Sequence, residues 1–252
     1  MAGQKIILYS KTIQSCPCYK RIFSSKYETD VTEYKTELLK KLRSRRVDAA
    51  VLCFCSASKE EVDSVLRQGD IAGPLPVLAC TRELNPEFVN SAAGRGVNAF
   101  LECTMAPEKV HRLIDTVIQR DSIKEFFNKS MLTGITPHPE LLKIIDDITH
   151  IFPHRITAEE LAEKADMSRK WFSNEFFRTF GITYSAGMRR LRIYKALRMM
   201  DSTGLDNMEI AIQLIYSEES GMARDFRDVI GYIPDEARKR LEMETPEEIL
   251  NL

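Results

Sequence analysis

Four short apolar runs, Lys5 to Ser10, Ala49 to Cys55, Leu75 to Thr81 and Ala99 to Cys103, are spaced along the first part of the chain, and nothing like them occurs after Pro139. Runs of this length without polar alternation read as strands buried on both faces. A weaker run, Thr29 to Glu33, supplies a fifth strand. Between them Thr36 to Arg46, Ser58 to Gln68 and Asn85 to Ala93 have helical character, and Ala106 to Phe127 reads as a longer helix opened by Pro107. Strands that alternate with helices need parallel crossovers, so residues 1–128 are expected to form a doubly wound α/β domain on a five-stranded parallel sheet.

Lys129 to Pro139, with Gly134, Pro137 and Pro139, reads as an interdomain linker. Residues 140–242 then hold seven short helical segments and no strand signal, which defines an all-α domain. The acidic stretch 243–252 is expected to fray.

The net charge of −1 conceals a strong segregation. Residues 168–198 carry Arg169, Lys170, Arg178, Arg189, Arg190, Arg192, Lys195 and Arg198 against the single acid Glu175, a local footprint for phosphate. Residues 199–236 reverse it, with Arg224 and Arg227 against nine acids. No apolar stretch near the start is long enough for a signal core or a membrane span, so a cytoplasmic protein without a membrane partner is expected. All six cysteines lie within the first 103 residues, which in a cytosolic chain raises redox or metal chemistry before a disulfide framework.

The segment Ile156 to Gly181 is the most informative. Thr157 with Glu160 forms a capping box, Ala162 is small enough for a close helix crossing, and Ser168 caps a second helix after a tight turn. In that helix Phe172, Phe176 and Phe180 recur as a core stripe, leaving Arg169, Lys170, Ser173 and Asn174 on the opposite face. A helix so held can enter a major groove, where Lys favours guanine acceptors and Asn pairs with adenine. The same pattern also arises from helix packing with a solvated basic face.

These blocks, with Tyr184 to Met200 as a long helix and Asn207 to Tyr216 and Phe226 to Pro234 beyond it, resemble the AraC/XylS family over about residues 138–240. The resemblance implies two helix-turn-helix units bridged by one long helix, with double-stranded DNA as partner, a homodimer, and RNA polymerase as a further partner. It places Lys170, Ser173 and Asn174 where the first recognition helix meets bases, and Glu219, Ser220 and Arg224 on the second. Arg178, Arg189 and Arg190 join the DNA-facing set, and of Arg189, Arg190 and Arg192 on the bridging helix some are expected to support the core or neutralise phosphate rather than read bases. The chain departs from the family at Ile215-Tyr216, where Gly-Phe is usual, and at Met222, where an aromatic is usual. Glu218, Glu219, Asp225 and Asp228 are expected to meet phosphate repulsion, so the first unit should dominate affinity. A competing reading is an adaptor that binds another protein through the acidic second unit.

The α/β part resembles a response-regulator receiver, which implies a flavodoxin-like sheet ordered 2-1-3-4-5. Phosphoryl transfer in that family needs acidic residues after the first strand, an aspartate after the third, a hydroxyl after the fourth and a lysine after the fifth. The matching positions here are Ser10 and Lys11, Cys53, Thr81 and Cys103, so only the hydroxyl survives. Without carboxylates there is neither a hard-cation site nor an acyl-phosphate acceptor. Cys16, Cys18, Cys53, Cys55 and Cys103 are expected near the crevice at the strand ends, with Lys11 beside them, as a redox pair, a soft-metal site or simply small core residues. Cys80 is expected in the core, and Cys-x-Cys is not a zinc-knuckle spacing. The four histidines are scattered and form no catalytic arrangement, so an enzyme is not expected, and no cofactor is implied.

Overall fold

The structure, a computed structural model, describes residues 4–11, 22–23, 26–44, 47–66, 75–119, 121–131, 135–151 and 156–252. The chain divides into two compact units, Met1–Gln119 with Ser202–Gly204, and Arg120–Asp201 with Leu205–Leu252.

In the first unit β1 (Lys5–Tyr9), β2 (Glu28–Thr32), β3 (Ala49–Cys53), β4 (Val77–Thr81) and β5 (Ala99–Glu102) form one parallel sheet. Their order is β2-β1-β3-β4-β5, the flavodoxin-like order expected. Every residue of β3 is buried, as are most of β1, β4 and β5, which is why these strands read as unbroken apolar runs. The edge strand β2 is half exposed, which explains its weaker signal. Helices α1 (Lys35–Ser44), α2 (Lys59–Leu66), α3 (Pro86–Ala93) and α4 (Pro107–Ile118) alternate with the strands. Asn85 caps α3 by accepting from the Phe88 N–H at 2.8 Å, and Pro86 follows at the first helical position.

The second unit is all helix: α5 (Asp121–Ser130), α6 (Pro139–Ile151), α7 (Ala158–Lys164), α8 (Arg169–Phe180), α9 (Tyr184–Ser202), α10 (Asn207–Gln213), α11 (Glu219–Ile230), α12 (Pro234–Arg240) and α13 (Pro246–Leu250). Ten of the nineteen residues of α9 are buried, so it is the central helix of this unit.

Four expectations about organisation are corrected. The predicted helix from Ala106 to Phe127 is two helices, because Gln119 leaves helical geometry with ψ of 74°. The unit boundary follows Gln119 rather than residue 128, because α5 belongs to the helical unit. Phe126 lies 5.4 Å from the Tyr194 ring and Phe127 5.6 Å from the Phe180 ring, all four buried.

The expected linker is anchored where it is described: the Thr136 carbonyl accepts from Arg178 at 3.2 Å, and the His138 N–H donates to Glu175 at 3.1 Å. The stretch expected to fray holds α13, with a capping box between Thr245 and Glu248 and with Ile249 and Leu250 buried. Among the described residues no helix is long and apolar enough to cross a membrane.

Candidate nucleic-acid interface

Two helix-turn-helix units within the second compact unit share one backbone plan. In the first, Thr157 and Glu160 close a capping box on α7, Asp166 takes a left-handed φ of 54°, and the Met167 N–H donates to the Ala162 carbonyl at 2.8 Å. In the second, Asp206 and Glu209 close the box on α10, Ile215 takes φ of 61°, and the Tyr216 N–H donates to the Ala211 carbonyl at 2.9 Å. The second helix of each ends on a left-handed glycine, Gly181 at φ of 71° and Gly231 at 80°. The left-handed turn also explains why a glycine suits position 215: a β-branched side chain there is strained.

The packing beneath α8 follows the sequence stripe. Phe172, Phe176 and Phe180 are buried, each worth roughly 1.5–3 kcal/mol of apolar burial. Gly187 on α9 makes room for them, since a Cβ there would meet the Phe176 ring at 2.9 Å. Met222 and Phe226 fill the same role beneath α11 and are fully buried.

On the opposite face of α8, Arg169, Lys170 and Asn174 are exposed and Ser173 is half exposed. Ser168 starts this helix by accepting from the Trp171 N–H at 3.1 Å. Arg169 lies 3.8 Å from Glu159, with both side chains mostly in solvent, so that pair contributes little. Phe177, to which the sequence reading gave no role, is 56% exposed beside Asn174. The signal was present: it falls outside the spacing of the buried phenylalanines. On α11 Ser220, Arg224 and Arg227 are exposed, and the Ser220 hydroxyl donates to Glu218 at 3.0 Å.

The other expected DNA-facing residues each have a partner within the helical unit. Arg178 donates from Nε to Glu175 at 2.8 Å, and this guanidinium holds the Glu175 carboxyl below the usual range. Arg189 pairs with Asp225 and Asp228, each at 3.3 Å. Arg190 is half-buried and donates to the Leu250 carbonyl at 2.8 Å, which removes it from the presented face. Arg192 lies 3.9 Å from Asp225 and 5.4 Å from the centre of the Tyr216 ring. Tyr216 donates to Asp225 at 2.7 Å, and its phenol is pushed up first by burial and then by that carboxylate. Lys195 is half-buried, and burial pushes its ammonium down to about 7. Part of the charge counted along residues 168–198 is therefore partnered within the helical unit, while Arg178 and Arg189 stay exposed. Asp225 is correspondingly an internal partner of α9 rather than a bare surface acid.

In the sheet unit the structure gathers the receiver-equivalent positions at the carboxyl ends of the strands. Ser10 is buried after β1, Cys53 ends β3, Thr81 ends β4, and Cys103 follows β5, its N–H donating to the Thr81 carbonyl at 2.9 Å. Lys11, expected beside the thiols, pairs with Glu61 at 3.3 Å. Cys16 and Cys18 lie outside the described residues. The sulfurs of Cys55 and Cys103 are in direct contact, and the sulfurs of Cys53 and Cys80 lie beside them.

Comparison with known proteins agrees with this geometry. Residues 161–240 match the model of a helix-turn-helix domain, so an AraC-type helix-turn-helix domain stands in the C-terminal part of the chain. Over 131 residues, 52% of this chain, the sequence is 29% identical to the RCS-specific HTH-type transcriptional activator RclR of Escherichia coli, of which the match covers 46%. The chain thus spans about half the length of the curated relative it matches. Among solved structures, the C-terminal domain of the two-component response regulator yesN from Fusobacterium nucleatum is 26% identical over 38% of this chain and 95% of that one, with a TM-score of 0.36. Full-length FixJ from B. japonicum is 12% identical over 77% of this chain and 97% of that one, with a TM-score of 0.41.

Proposed function

We propose that this chain is a sequence-specific DNA-binding transcription regulator whose base-reading element is the exposed face of α8. The reading is carried by one observation: α8 buries its phenylalanine stripe after a capped tight turn and holds Lys170, Asn174 and Phe177 out to solvent. Lys and Asn recognise guanine and adenine edges, and an exposed Phe suits a thymine methyl group. The helix-turn-helix match over residues 161–240 and the transcriptional activator among its relatives support it.

The sheet unit, in this reading, is a receiver-like regulatory domain that takes no phosphoryl group. Ser10, Lys11, Cys53, Thr81 and Cys103 hold no carboxylate at the positions where phosphoryl chemistry needs one to bind Mg²⁺ and accept the group.

The test is selection of binding sites from random duplex DNA with the full-length chain, followed by affinity against salt. The expected result is an enriched motif whose paired half-sites report a dimer, with a log–log salt slope of roughly −2 to −4 per chain, because few cations are presented. Feeble binding without enrichment would overturn the reading in favour of an adaptor that uses the helix-turn-helix fold to hold another protein.

A further inference from the structure

The sheet register brings four cysteines to one place. Cys53 on β3 pairs with Cys80 on β4, and Cys80 pairs with Leu101 on β5, so these three side chains stand on one face. Side chains alternate along a strand, so two residues further on Cys55 and Cys103 continue on that face. The sulfurs of Cys53 and Cys55 are 3.5 Å apart, those of Cys55 and Cys80 3.9 Å, and those of Cys80 and Cys103 3.9 Å. Those of Cys53, Cys55 and Cys80 all lie within 4.8 Å of one another.

A tetrahedral thiolate site with zinc–sulfur bonds of about 2.3 Å places neighbouring sulfurs about 3.8 Å apart. Cys53 and Cys80 are buried while Cys55 and Cys103 are half exposed, so the cluster is closed on one side and reachable on the other. The Cα atoms of Cys55 and Cys103 are 7.4 Å apart, beyond the span usual for a disulfide and suited to two thiolates on one ion.

We propose that Cys53, Cys55, Cys80 and Cys103 of the reduced chain bind one thiophilic divalent cation of the zinc type. Four sulfurs and no carboxylate select a soft cation over Mg²⁺ or Ca²⁺. Binding releases the thiol protons as the sulfurs become thiolates. A disulfide between Cys55 and Cys103, which requires their Cα atoms to approach from 7.4 Å, would withdraw two of the four ligands, so metal and disulfide exclude each other. Cys80 is thereby reassigned from core filler to ligand. The site stands independently of the DNA reading, because none of its atoms belongs to the helical unit.

The experiment uses the full-length chain, reduced with a phosphine, freed of metal and titrated with Co²⁺. The expected result is the visible absorption of a tetrahedral cobalt thiolate, saturating at about one ion per chain and bleached by Zn²⁺. Cys80→Ser and Cys103→Ser should each weaken binding by about tenfold or more. The wild-type titration needs no variant to fold: a reduced chain that shows no thiolate absorption with Co²⁺ overturns the proposal. If that chain also loses two countable thiols on oxidation, the cluster is a disulfide switch instead.

Discussion

Residues 157–181 and 206–231 build the same turn from different surfaces. The first starts its outer helix on Ser168 and holds Lys170 and Asn174 to solvent; the second starts on Glu218, which makes no side-chain cap, and commits Asp225 to Arg189, Arg192 and Tyr216. Backbone plan and function are thus separable. The capping boxes and left-handed turns set the crossing of each helix pair, while side chains that play no part in the turn decide what each pair presents to solvent. The second unit's acids bind the central helix, and in doing so they also remove cations from the apparent DNA footprint.

The largest effect that would break this asymmetry concerns base reading. Lys170→Ala or Asn174→Ala should weaken binding to a selected site by about 1–3 kcal/mol and relax base preference at one position. Arg224→Ala on the second unit should cost clearly less, measured by fluorescence anisotropy at fixed salt. Equal losses on the two helices would erase the distinction.

A second comparison concerns packing. Gly187→Val drives carbon into the Phe176 ring and should cost about 1–3 kcal/mol in urea unfolding, with the first unit loosened. The counterpart in the second unit is the buried Ala237, which already carries a Cβ. Gly231→Ala meets no atom within 4 Å, so its cost should be only the left-handed penalty of about 1–2 kcal/mol.

The smallest effect sharpens the electrostatic part. Asp225→Asn removes the charge shared by Arg189 and Arg192 but keeps an oxygen for the Tyr216 hydroxyl, so its stability cost should be about 1 kcal/mol. It should also raise sequence-independent DNA affinity at low salt and steepen the salt slope by about one. An unchanged slope would mean that these arginines do not reach phosphate even when released.

Much of this was legible from residue order. The buried strands announced themselves as unbroken apolar runs, the phenylalanine stripe placed α8 at Arg169–Phe180, and Thr157 with Glu160 marked the start of α7. The break at Gln119 was not legible, because apolar spacing continues across it without a glycine or proline. The end of the chain was misread although Thr245 and Glu248 carried a capping box, because the acids around them outweighed Ile249 and Leu250. Phe177 lies outside the spacing of Phe172, Phe176 and Phe180, so its exposure was legible in the sequence.

By itself, the sequence determined the local choices: which segments are strands or helices, where helices start, and that Ser10, Lys11, Cys53, Thr81 and Cys103 carry no carboxylate. Those choices depend on neighbours within a few residues, which periodicity and capping report directly. Only the tertiary structure decided which charges are spent and which thiols meet. Arg189 and Asp225 lie 36 positions apart in sequence, and Cys55 and Cys103 lie 48 apart. Helix crossing brings the first pair together and parallel strand register the second, through contacts that no local pattern encodes.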